Sequence, residues 1–322
     1  MPIYFISISM GGMKSLNTLA AYTGGARAPS INHCKLGSKM TFKVDFIGIG
    51  SGKCGSTWLY DNLVKHPEIC DRNLKELNYF SGLYERYPIT WYESQFIECL
   101  SDMKKGEFSV TYISHPEAAE RIYRHYPEVK LLAIVRNPVK RAFSNYLHSI
   151  RKGDIPADLS FPHYIEDDHR LVPGHFAEHL QRFYSLFGAE QIRVIITEEF
   201  VANPLQGYQD IFRYLGLQDI RFVPPGYNQR RNVAKSYRFL WLENLLVRSY
   251  RGMSNLGYTK LVKRITDSGI ADRVRAFNRD SRPLPEIDLV SQQRLLDYYR
   301  PHNRQLEDLL GKDLSFWDRP VC

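Results

Sequence analysis

The chain has 322 residues, of which 43% are apolar and 24% charged, and 43 Lys and Arg against 35 Asp and Glu give a formal net charge of +8. That composition excludes a disordered, collagen-like or disulfide-scaffold chain, and no apolar run approaches the 18 residues of a membrane span. The positive field favours anionic ligands (phosphates, sulfated groups, nucleic acid, an acidic membrane) without choosing among them.

Residues 1–40 carry Lys14, Arg27, Lys35 and Lys39 but no acidic residue, and are rich in Gly, Ser and Ala. They read as a poorly ordered N-terminal extension, or as a misassigned start with Met40 the true one. Ordered pattern begins directly after. Lys43–Ile49 is a short apolar strand, residues 50–56 (GSGKCGS) are a glycine-rich turn, and Thr57–Lys65 has a helical period that Pro67 stops. Glu117–His125 reads as a helix, and Val129–Val135 as a strand without alternation, as in a parallel sheet covered on both faces. Asn137 can cap the next helix, Val139–Ile150, with Pro138 at its first position. A further helix over Phe176–Phe187, a strand over Gln191–Thr197 and a helix over Leu205–Leu215 ending at Gly216 repeat the plan. Residues 224–235 form a basic loop, Arg238–Val247 a helix, and Leu289–Leu310 two helical runs separated by Pro301. The alternation predicts an α/β fold with a central, mainly parallel sheet flanked by helices.

Strand, glycine turn and helix make a phosphate loop credible, but not an ATP-type one. In GxxxxGK[ST] the lysine is followed by Ser or Thr; here Lys53 is followed by Cys54, and Ile47 stands where the first glycine belongs. What remains is Lys53 on the loop, backbone N–H groups of residues 55–58 at the helix start, and hydroxyls of Ser56 and Thr57. The buried strand ends in Arg136 rather than an acidic metal ligand, at the strand end where open α/β sheets place ligands. Arginine grips phosphate bidentately, and Ser144 follows two helical turns later. The five cysteines, Cys34, Cys54, Cys70, Cys99 and Cys322, are odd in number and form no CxxC pair, which points to a reducing compartment, and a cytoplasmic setting is expected as well from the lack of an apolar membrane anchor.

These motifs together resemble the sulfotransferases that use 3′-phosphoadenylyl sulfate (PAPS). Residues 53–59 (KCGSTWL) resemble the 5′-phosphosulfate loop, and residues 134–138 (IVRNP) continuing through 141–146 (RAFSNY) the 3′-phosphate motif. Residues 75–80 (KELNYF), 174–180 (GHFAEHL), 194–200 (VIITEEF) and 211–216 (IFRYLG) resemble landmarks of the carbohydrate, heparan-type branch. The resemblance is good over about residues 43–217 and weaker in the tail, where residues 299–303 and 310–317 still match. It implies a P-loop-like three-layer fold, a single sulfotransferase domain over 41–322, and sulfuryl transfer from PAPS to a hydroxyl of a saccharide or glycolipid. PAPS would be a co-substrate, with no prosthetic group, metal or nucleic-acid partner; the sequence leaves the oligomeric state open.

By that resemblance Lys53 binds the 5′-phosphate and stabilises the leaving oxygen, and Gly55, Ser56, Thr57 and Trp58 supply loop donors. Arg136 and Ser144 bind the 3′-phosphate, and Glu76 is the base beside Lys75. Tyr79, Phe80 and Tyr112, with the polar segment 149–175, would line the acceptor cleft. The late nucleotide clamp is placed at Arg230 and Arg231, with a surface patch facing an anionic acceptor as the alternative. The aryl branch uses a histidine base, but His66 sits at the end of the first helix and is set aside. His175 and His179 are spaced i, i+4 without the glutamate of HExxH, so a helix-surface role is expected. Two departures stand out: Ser51 and Gly52 precede the lysine where the family commonly has proline, and Cys54 and Ser56 alter the loop spelling. The acceptor can equally be a hydroxylated small metabolite. Two rival classes remain: an ATP-dependent phosphotransferase, which would need the missing Walker residues, and a non-catalytic anion- or glycan-binding protein.

Overall fold

The computed structural model describes residues 43–72, 74–156, 158–229 and 286–320. The N-terminal extension, Arg230 and Arg231, and the helix predicted over Arg238–Val247 lie outside the described residues.

Four parallel strands form the sheet: β1 (Phe46–Gly50), β2 (Gly106–Phe108), β3 (Lys130–Val135) and β4 (Ile192–Ile196), in the order β2-β1-β3-β4. Every residue of β1 and five of the six in β3 are buried, so both faces of the sheet centre are covered. That is why these strands read as continuous apolar runs. The edge strand β2 was not visible in sequence: it has three residues, with a charged one in the middle. Gly48 is needed opposite it, since a Cβ there would sit 2.0 Å from the Phe108 ring.

The helices among the described residues are α1 (Ser56–Leu63), α2 (Ile89–Ser94), α3 (Ala118–His125), α4 (Pro138–Lys152), α5 (Phe161–Tyr164), α6 (Phe176–Tyr184), α7 (Thr197–Ala202), α8 (Pro204–Leu215) and α9 (Leu289–Leu310); α1, α3, α4, α6 and α8 fall close to the predicted spans, whereas the short α2, α5 and α7 were not foreseen. The caps do what their residue types suggest. The Asn137 side chain accepts from Val139 N and Lys140 N at the start of α4, and Gly216 closes α8 at φ 75°. The tail corrects the sequence reading, because α9 is one helix with Pro301 inside it. Proline removes one N–H and crowds the preceding turn. The helix continues because its buried side, including Leu295, Leu296, Tyr299 and Leu306, is packed against the main body. The Tyr299 hydroxyl also donates to the Leu171 carbonyl at 2.9 Å.

Cys70 and Cys99 are joined in a disulfide, Cα to Cα 5.6 Å. This overturns the inference of reduced cysteines from an odd count, and cytoplasmic placement loses that support: parity says nothing about which two thiols meet. Among the described residues no helix is long and apolar enough to cross a membrane. The bridge closes a loop of 29 residues, which chain entropy values at about 3.6 kcal/mol. Replacing both cysteines by serine is therefore expected to lower the melting temperature by several degrees; an unchanged melting curve would show that the bridge contributes nothing to stability.

Candidate functional site

The loop after β1 turns sharply into α1. Lys53 and Gly55 adopt left-handed backbone, at φ 69° and 95°. The first helical hydrogen bond runs from Leu59 N to the Gly55 carbonyl at 3.0 Å, so the N–H groups of Gly55, Ser56, Thr57 and Trp58 precede the i→i−4 ladder. Thr197, the first residue of α7 directly after β4, holds this loop to the sheet: its hydroxyl lies 2.6 Å from the Cys54 carbonyl and 2.7 Å from that of Val135. Cys54 itself is inert, its thiol pushed up to about 12 chiefly by burial. The Trp58 indole lies in the core, edge-on to Phe200 at 5.1 Å, so only its backbone faces the loop.

Arg136 leaves the end of β3 and donates from Nη1 to the Lys53 carbonyl at 3.3 Å, tying the second motif to the first. Its neighbour Asn137 is fixed from two sides. Asn137 N donates to Glu198 Oε1 at 3.1 Å, its Nδ2 donates to the Trp317 carbonyl at 3.0 Å, and Trp317 Nε1 donates to Glu198 Oε2 at 3.1 Å. The C-terminal turn thus braces the strand end that carries Arg136. Ser144 is half-buried on α4, two turns on.

Lys75 and Glu76 come from a separate segment yet join the loop. Lys75 Nζ donates to Ser56 Oγ at 3.3 Å and pairs with Glu76 Oε1 at 3.0 Å. Lys53 loses basicity, to about 8, mainly through burial and then through Arg151, Lys152 and Arg141, with Glu76 opposing. The arrangement therefore sets several cations and four N–H groups around one loop, with the exposed carboxylate of Glu76 beside them. That suits a multiply charged phosphate ligand and a proton acceptor next to it.

The structure corrects several placements. Tyr79, Phe80 and Tyr112 are 1%, 0% and 0% exposed. They form an aromatic core with Tyr92, and burying such a side chain is worth about 1.5–3 kcal/mol. They do not stack on an acceptor. His66 is buried between Phe212 and Phe222 with Nε2 2.9 Å from the Asp219 carbonyl, a core position. His175 and His179 are buried rather than on a helix surface. His175, Glu178 and His302 bring ligand atoms within 4.8 Å of one another. Their two rings, however, stack at 3.7 Å and 13°, so no single ion lies in both ring planes unless a ring turns.

Sequence reading missed His148, one helical turn beyond Ser144. Its basicity is pushed down to about 3 by burial and by Lys53, Lys152 and Arg151. Arg151 Nη2 donates to its Nδ1 at 2.8 Å, which leaves the ring neutral with its proton on Nε2. The i, i+4 spacing from Ser144 was the available signal.

Residues 43–235 match a family described as the sulfotransferase domain. The chain is 27% identical over 300 residues to bifunctional heparan sulfate N-deacetylase/N-sulfotransferase 4 of Mus musculus, covering 85% of this chain and 31% of that protein. A stretch of 135 residues is 36% identical to membrane-associated sulfotransferase kil1 of Dictyostelium discoideum, covering 40% of this chain and 28% of that one. The solved sulfotransferase from Alicyclobacillus acidocaldarius shares 25% identity at a TM-score of 0.61, covering 86% of this chain and 99% of that chain. The chain spans about a third of the length of the curated relatives it matches.

Proposed function

Because the chain belongs to the sulfotransferase domain family, we propose that it transfers a sulfuryl group from PAPS to a hydroxyl of a saccharide or glycolipid acceptor. One observation carries the reading: the Lys75 ammonium lies between the Ser56 hydroxyl of the phosphate loop and the Glu76 carboxylate, at 3.3 and 3.0 Å. A proton acceptor thus stands next to the site where a phosphosulfate would bind.

In this mechanism the Glu76 carboxylate takes the acceptor O–H proton as the new S–O bond forms. The S–O bond to the 5′-phosphate breaks, and its electron pair passes to the bridging oxygen. Lys53 and the N–H groups of residues 55–58 meet that developing charge. The products are a sulfate ester and adenosine 3′,5′-bisphosphate. Arg136 and Ser144 are assigned to the 3′-phosphate. A second reading draws on the names of relatives, which specify N-sulfation: the acceptor atom is then an amine nitrogen, and the same carboxylate takes its proton.

Calorimetric titration with adenosine 3′,5′-bisphosphate, AMP and ATP tests the donor site. Binding should require the 3′-phosphate, and Arg136→Ala should weaken it by about 10–100-fold, the worth of hydrogen bonds to a charged group. Preference for ATP with magnesium would sink the reading. Labelled PAPS with a desulfated, N-deacetylated heparan oligosaccharide and its N-acetylated form then separates the acceptors. Labelling of both supports a hydroxyl, labelling of the free amine alone supports the second reading, and labelling of hydroxylated small molecules alone supports a metabolite acceptor.

A further inference from the structure

We propose that Glu107 is a positioning residue for the candidate base: through Ser109 it holds the Lys75–Asn78 turn in the conformation that presents Glu76. The inference rests on the reading of Glu76 given above.

The turn is unfavourable by itself. Glu76 and Asn78 sit at φ 64° and 52°, left-handed backbone that a side chain disfavours. It survives because the segment following β2 pins it at successive residues. Lys75 bridges to Phe108 in parallel register, and Glu76 N donates to the Phe108 carbonyl at 2.9 Å. Asn78 N donates to Ser109 Oγ at 2.9 Å, Val110 N donates to Glu76 Oε2 at 3.2 Å, and the Thr111 hydroxyl donates to Asn78 Oδ1 at 2.7 Å. Ser109 is the anchor on the Asn78 backbone N–H, and its hydroxyl is free to rotate. Its own proton goes to Glu107 Oε2 at 2.7 Å, which turns a lone pair toward Asn78.

Glu107 is 0% exposed in the middle of β2, and no salt bridge to it occurs among the described residues. Burial lifts its acid to about 8, so it keeps its proton at neutral pH and adds no charge beside the Lys75–Glu76 pair. Tyr92 and Tyr112 interact electrostatically with the same carboxyl, but neither hydroxyl hydrogen-bonds to it. If packing alone mattered, an apolar residue would serve in this strand at lower cost. A neutral acid that fixes a serine hydroxyl is explained by what that hydroxyl holds.

Hydrogen exchange of the 75–79 backbone, affinity for adenosine 3′,5′-bisphosphate, and turnover of PAPS with the desulfated, N-deacetylated heparan oligosaccharide are compared in Glu107→Leu, Ser109→Ala and Glu107→Gln. The first two should speed exchange at Asn78 by about tenfold, the worth of one hydrogen bond. They should lower kcat by about tenfold or more while nucleotide affinity stays within about twofold. Glu107→Gln, whose amide oxygen still accepts from Ser109, should restore both. If Glu107→Leu does not fold, Ser109→Ala carries the comparison. Unchanged exchange at Asn78 in Ser109→Ala overturns the proposal whatever the activity, as does a Gln variant no better than Leu. Faster exchange with unchanged kcat shows that the anchor does not serve the base and also overturns the proposal, whereas the reading of Glu76 as base fails only in Glu76→Gln, so the two readings fail separately.

Discussion

Replacing Glu76 by glutamine is expected to lower turnover by about 10²–10⁴-fold, the usual contribution of a general base, and to leave affinity for adenosine 3′,5′-bisphosphate within about twofold. The substitution is close to isosteric. The amide oxygen can still accept from Val110 N, as Glu76 Oε2 does at 3.2 Å, so the turn keeps its shape. What goes is the group that takes a proton, together with the 3.0 Å ion pair to Lys75. That pair is partly exposed and contributes little to stability, so the melting temperature should barely move. Single-turnover rates with bound PAPS separate chemistry from binding. A chemical step within about tenfold of wild type would assign the base elsewhere.

What could be read in the sequence was local. The β1–loop–α1 unit (Phe46–Leu63) and the β3–Arg136–α4 unit (Lys130–Lys152) each carry their pattern within one short contiguous stretch: an apolar run, a glycine or an Asn-Pro cap, then a helical period. The two phosphate motifs fell on these units. The parts that were missed depend on contacts between distant segments. β2 is a strand because it pairs with β1, not because its residues GEF alternate. The turn holding Glu76 takes its shape from residues 108–111, more than thirty positions away, and no spacing rule connects them. Tyr79, Phe80 and Tyr112 were assigned to the acceptor cleft because aromatic rings suit stacking on sugars, but residue type does not report exposure; the ring cluster with Tyr92 and Phe96 decides their burial. Pro301 shows the same priority of packing over local preference, since a residue that ought to end a helix is carried through by the buried face of α9. The cysteine count failed because it registers number and not position.

Lys53→Met should abolish most activity and at the same time stabilise the unliganded protein. The turnover loss is expected at about 10²–10³-fold, the cost of removing one group that meets charge on a leaving oxygen. The stability gain follows from the lysine's surroundings. Burial, then Arg151, Lys152 and Arg141, lower its basicity from 10.5 to about 8. Between those values the unfolded chain holds the proton and the folded one releases it, so stability rises as pH climbs from about 8 toward 10.5. Below pH 8 the folded protein carries the full penalty of a charged, partly buried lysine. A tenfold change in a group's acidity corresponds to about 1.36 kcal/mol, and after solvent screening about 1–3 kcal/mol is a fair expectation at pH 7. A bound nucleotide reverses the balance, because its phosphates favour the ammonium. Affinity for adenosine 3′,5′-bisphosphate should therefore fall about tenfold between pH 7 and 9 in the wild type, with proton uptake on binding above pH 8, and should lose that pH dependence in the methionine variant. Calorimetry in buffers of different ionisation enthalpy counts the protons, and melting curves at pH 7 give the stability change. A flat affinity profile in the wild type would mean that Lys53 does not face the nucleotide. A destabilised methionine variant would mean that the lysine serves the fold rather than the ligand.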